Sequence, residues 1–89
     1  MNYAARWELV VDRDVHKALL RFPKKDADRI LSAITELATN PYCGDVSKMR
    51  GEREVWRRRV GTYRIFYEVV PKQRIVHIFR LARRTSTTY

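Results

Sequence analysis

The sequence predicts an α+β domain, with two N-terminal helices packed on one face of a twisted, mainly antiparallel four-stranded sheet in the order β-α-α-β-β-β. Three observations predict it. Apolar residues recur at a helical period from Arg13 to about Thr39. A period-2 pattern takes over from Val55. Proline and glycine punctuate the chain at Pro23, Pro41, Gly61 and Pro71. At 89 residues, positions 1–89 make one domain with a small core.

Trp7–Val11 reads as a first strand. Asp12 is a candidate N-cap for a helix over Arg13–Arg21, whose apolar residues are Val15, Ala18, Leu19 and Phe22. Pro23 breaks that helix and suits the first turn of the next. The second helix buries Ala27, Ile30, Ile34, Leu37 and Ala38, faces solvent with Asp28, Arg29, Ser32 and Glu36, and stops at Asn40-Pro41. Tyr42–Glu54 is expected to be a loop. Strands follow near Val55–Val60, Tyr63–Val70 and Arg74–Ala82, with Gly61-Thr62 and Pro71-Lys72-Gln73 as the hairpin turns. Residues Arg83–Tyr89 form a polar tail.

Alternation sends Trp56, Arg58 and Val60 to one face and Arg57 and Arg59 to the other. It likewise separates Tyr63, Ile65, Tyr67 and Val69 from Arg64, Phe66, Glu68 and Val70. Trp56, Val60, Ile65 and Tyr67 are core candidates, and Phe66 is also read as packing rather than as a ligand platform. The last strand is apolar on both faces, so its inward side stays open. Arg57, Arg59 and Arg64 then share the uncovered face. Paired arginines offer fork-shaped donors suited to phosphate. Arg58 is read as a stem that snorkels from the core side.

Nineteen Lys+Arg against ten Asp+Glu give a net charge of +9, which points to a polyanionic partner. The chain has one cysteine and two histidines. Cys43 alone makes no intramolecular disulfide, and the separated His16 and His77 make no zinc site, so neither metal nor cofactor is expected. No apolar run reaches the length of a membrane span, and a cytoplasmic protein is expected.

The sequence resembles the RelE/ParE toxin superfamily of bacterial type II toxin–antitoxin systems. The motifs that carry the resemblance are NPY at Asn40–Tyr42, KMRG at Lys48–Gly51, WRRRVGTYRIFY at Trp56–Tyr67, and an arginine-rich end closing in Tyr89. The resemblance implies a small toxin held inactive by a cognate acidic antitoxin in a hetero-oligomer. RelE-type members cut mRNA in the ribosomal A site, whereas ParE-type members inhibit DNA gyrase and lack the ribonuclease residues. By position, Arg57 and Arg59 match the substrate-holding basic pair and Arg64 a catalytic arginine. Arg83 matches the late catalytic arginine, with Arg84 the alternative if the tail is shifted, and Tyr89 the catalytic tyrosine. This set implies a RelE-like endoribonuclease whose partners are the ribosome and mRNA. The alternatives are a gyrase inhibitor and a weakly catalytic RNA- or ribosome-binding toxin.

One departure affects the chemistry. RelE has lysines where this chain has Arg57 and Arg59. An arginine holds phosphate but cannot give up its proton, so neither residue serves as a general base. The tyrosine phenol beside arginines is a candidate base. Glu68 shares the Arg64 face and is read first as an ion-pair partner, second as a base.

Overall fold

The computed structural model describes residues 6–51 and 54–83. Strand β1 (Glu8–Val11) leads into helices α1 (Arg13–Arg21) and α2 (Lys24–Thr39). Then come β2 (Val46–Lys48), β3 (Val55–Val60), β4 (Tyr63–Val70), a 3-10 turn over Pro71–Gln73, and β5 (Ile75–Arg83). The sheet has five strands in the order β1-β5-β4-β3-β2. All pairings are antiparallel except β1 with β5, which run parallel from Glu8↔Ile75 to Val11↔Ile78.

The α+β class holds, with one strand more than the expected four. The addition is β2, which pairs with the outer edge of β3 through Val46↔Arg58 and Lys48↔Trp56. Three residues inside a glycine-bounded segment carry too little alternation to announce a strand. The pairing partner supplies the order that the local sequence lacks.

Each helix end follows from its residues. Asp12 occupies the N-cap of α1 with extended dihedrals, and its carbonyl accepts from the Val15 and His16 amides. Its side chain makes no capping bond; the carboxylate lies instead 2.7 Å from His77 Nε2 on β5. The cap residue therefore ties the start of α1 to the sheet. At the end of α2, the Asn40 amide donates to the Glu36 carbonyl and the Asn40 side chain accepts from the Tyr42 amide at 3.0 Å, an Asx turn. Pro41 is buried, and its carbonyl accepts the Tyr67 hydroxyl at 2.6 Å. The Tyr42 ring meets Trp56 edge-on, with centroids 5.1 Å apart. The NPY motif is thus a structural rivet between α2 and the sheet.

The core lies between the helices and one sheet face. Val15 from α1 and Ile30, Ile34 and Leu37 from α2 pack on Ile65, Tyr67, Val69, Val76 and Ile78. Tyr67, at the centre, has no exposed surface, and burial pushes its phenol pKa up. Tyr63 donates its hydroxyl to Asp26 at 2.7 Å; that bond, then burial, raises its pKa too.

Arg58 also faces this side, at the β3 edge, with its side chain only 13% exposed. Its Nη2 donates to Glu36 Oε1 at 2.7 Å and its Nη1 to the Cys43 carbonyl at 3.4 Å. The reading of Arg58 as a stem on the core side holds, with the head closing an ion pair to α2. Gly44 makes this possible. Its φ is +84°, and a Cβ there would sit 2.5 Å from the Arg58 guanidinium carbon.

Candidate nucleic-acid interface

The sheet face turned away from the helices carries the cationic residues. Register sets them in rows, because directly opposed residues share a face. Arg59, Arg64 and Ala82 form one row, and Arg57, Phe66 and Arg80 the next. Val55, Glu68 and His77 form a third. Arg57, Arg59 and Arg64 are therefore brought together as the alternation predicts. The backbone of Arg64 is held by the buried Tyr63 and Ile65 that flank it in sequence.

The three arginines are not equivalent. Arg64 is half-buried on the central strand. Arg57 Nη2 donates to Ser47 Oγ at 3.3 Å. Arg59 Nε lies 3.3 Å from Asp45 Oδ2, both side chains largely in solvent. Such exposed pairs are worth little and open readily to a competing phosphate.

Arg80 is a residue that sequence reasoning missed. The β4–β5 register shifts between Phe66 and Tyr67, where a bulge lets Tyr67 pair with Ile78 and Phe66 with Arg80. Ile78 points into the core, so unbroken alternation would also bury Arg80. The extra residue, Phe79, returns Arg80 to the open face, where its guanidinium sits 5.3 Å from the Phe66 ring centroid. With both faces of this strand apolar, the local sequence carried no signal that placed Arg80; the bulge that turns it outward depends on pairing with β4.

The same bulge sets the side of the sheet on which Arg83 lies. Its register partner is Tyr63, which faces the helices. The Arg83 guanidinium sits 5.7 Å from the Tyr63 ring centroid, on the opposite side of the sheet from Arg57, Arg59 and Arg64. It therefore lies apart from the three arginines with which the resemblance groups it. Arg84 and Tyr89 lie outside the described residues. Phe66, expected to be core, is half-buried on the open face.

Glu68 and Glu54 stand apart from the arginine rows. Glu68 lies beyond Phe66 along β4 and faces His77, whose Nδ1 is 3.9 Å from its Oε1. Glu54 accepts from the Trp56 indole at 3.2 Å and from Lys48 Nζ at 3.4 Å, and these bonds hold its pKa below the ordinary carboxylate value. Among the described residues, no cluster of His, Cys, Asp and Glu fits a metal ion.

A small α+β domain with a cationic sheet face that no described helix covers is the architecture of RelE-like toxins. The family described as the ParE toxin of type II toxin–antitoxin system, parDE, matches residues 6–87. The chain belongs to that family, and within the wider superfamily it is RelE-like. A candidate toxin of Methanocaldococcus jannaschii, RelE1, is 31% identical over 80% of this chain and 87% of its own. The archaeal RelE–RelB complex of Pyrococcus horikoshii contains a chain with TM-score 0.81 and 29% identity, covering 92% of this chain and 99% of that one. The isolated Escherichia coli RelE toxin superposes with TM-score 0.77 at 16% identity over 91% of this chain and 87% of that one, a likeness of fold. Among the described residues no helix is long and apolar enough to cross a membrane.

Proposed function

We propose that this toxin is a ribosome-dependent endoribonuclease of the RelE type, in which arginines on the open sheet face hold and neutralise the scissile phosphate during attack by the 2′-hydroxyl. The observation that carries this reading is the convergence of Arg57, Arg59, Arg64 and Arg80 on two adjacent rows of one face. Arg64 stabilises charge on the phosphorane, while Arg57 and Arg59 position the strand. Among the described residues the carboxylate beside the arginine rows is Asp45, ion-paired to Arg59, and the base of this reading comes from the substrate's surroundings or from Tyr89. Induction should leave mRNA cut within codons on ribosomes and free RNA largely intact. Primer extension on a reporter mRNA reads that outcome. Blocked supercoiling by purified DNA gyrase, with uncut mRNA, would replace this reading with gyrase inhibition, which the parDE family description favours.

The cognate partner is an acidic antitoxin, in keeping with the net charge of +9 and with the RelE–RelB complex of Pyrococcus horikoshii. It would lay a long segment over the sheet and helices and neutralise the arginines. Co-purification with the acidic product of a neighbouring reading frame should weaken as salt rises. Failure to form a complex even at low salt would exclude this partner.

A further inference from the structure

Beside the arginine rows, the open face contains an apolar recess that phosphate binding does not require. It has a volume of about 370 Å³. Met49, Val55, Phe66 and Phe79 make its walls, and Arg50 and Arg80 stand at its rim. Two structural features build it. The β5 bulge turns Phe79 and Arg80 to the same side, and the Met49 amide donates to the Val55 carbonyl at 2.8 Å, which fixes the β2–β3 loop against the sheet. A smaller recess of about 130 Å³ continues past Val55 and Phe79 to Glu68 and His77.

The chemistry of the walls is selective. Two phenyl rings and a guanidinium held over one of them form a surface for a flat, electron-rich ring. Unpaired bases of single-stranded RNA are bound in this way, stacked on aromatic side chains and arginine planes. Phosphate donors are next in line. Arg57 is in the same row as Phe66 and Arg80, and Arg64 is two residues along β4, about 7 Å away at the rise of a strand. An aliphatic side chain would gain nothing from the guanidinium or the cationic rim.

We propose that this recess is a nucleobase subsite, taking one unpaired base of single-stranded RNA whose adjoining phosphate rests on Arg57 and Arg64. The proposal rests on the RNA-directed reading of the arginine face and adds to it a place for the base.

The test uses the methyl group inside the recess. The chain has two methionines, Met1 and Met49, so ¹³C-methyl methionine labelling gives a signal from the recess itself. The protein is titrated at low salt with a single-stranded RNA tetranucleotide and with its fully abasic counterpart. The intact RNA should move the Met49 methyl signal by the ring current of a base. The abasic strand should leave it in place and bind about tenfold more weakly, within the range measured for base–aromatic stacking. Phe79→Leu should lower the affinity for intact RNA to that for the abasic strand, with unchanged salt dependence. Phe66→Leu is the second variant if the first does not fold. Equal, salt-sensitive binding of both strands with a still Met49 signal would overturn the subsite and leave the phosphate-binding reading standing. Absence of binding by either strand would overturn the subsite, while the ribosomal reading falls only if primer extension shows uncut mRNA. A Met49 signal that responds to an acidic antitoxin peptide and not to RNA would assign the recess to a protein partner instead.

Discussion

Replacing Arg64 with alanine should lower single-turnover mRNA cleavage on programmed ribosomes by about 100- to 1,000-fold, the usual cost of one well-placed donor to a developing anion. Arg64 holds the most constrained position on the cationic face. It is half-buried on the central strand, flanked in sequence by the buried Tyr63 and Ile65, and paired in register with Arg59. A side chain aimed by its strand needs no reorganisation as charge develops, so its contribution concentrates in the transition state. Arg57→Ala and Arg59→Ala should act differently. Their side chains reach Ser47 and Asp45 at the surface, so their loss should weaken ribosome binding and lower its salt dependence by about one charge each. Arg83→Ala should cost less than Arg64→Ala, because Arg83 sits over Tyr63 on the helix side. Arg57→Lys or Arg59→Lys introduces a group that can lose a proton and should raise cleavage if the base is limiting. Circular dichroism on each variant separates folding from chemistry. Wild-type cleavage by Arg64→Ala would remove the arginine rows from the mechanism.

The largest loss of stability should follow Tyr67→Ala. Truncating a fully buried aromatic costs about 3–5 kcal/mol, a large share of the 5–15 kcal/mol that holds a domain together. The variant should lose a cooperative transition or melt far below the wild type. Tyr67→Phe keeps the ring and strands the buried Pro41 carbonyl that accepts the hydroxyl, for about 1–3 kcal/mol. In a domain of this size each kcal/mol lowers Tm by about 4–8 °C. The phenol also sets an alkaline limit. Burial raises its pKa in the folded state, so its contribution is complete below the unfolded value of about 10 and is lost as pH rises beyond it. Urea denaturation across that range should show a shallower alkaline loss for Tyr67→Phe. A residual slope should remain from Tyr63, whose pKa the Asp26 bond also raises. Identical alkaline slopes for the two proteins would exclude Tyr67 as the titrating group.

Strong periodicity made most of this fold legible in the sequence. Helix α2 runs to Thr39 as expected because Asn40-Pro41 ends it in both chemistry and geometry. The arginines of β3 and β4 fall on one face because that hairpin keeps strict alternation from Val55 to Val70. What the sequence hid depends on pairing rather than on local pattern. Strand β2 is ordered by the β3 edge, and the β5 bulge changes the face of every residue after it. That single shift exposed Arg80 beside Phe66 and Phe79 and sent Arg83 to the helix side. Arg58 shows the reverse case. Alternation placed it inward, and the close approach of Gly44 and the Glu36 carboxylate show how a guanidinium is accommodated there.

The parallel pairing of β1 with β5 has a consequence for how the toxin comes into being. Strand β1 finds its partner only when β5 follows it from the ribosome, and Arg80 arrives on β5. Closing so long a loop is slow, and local helix formation runs ahead of it. The cationic face is consequently incomplete on every shorter nascent chain. The toxin is in this way assembled late in its own synthesis, when β5 enters the sheet between β1 and β4.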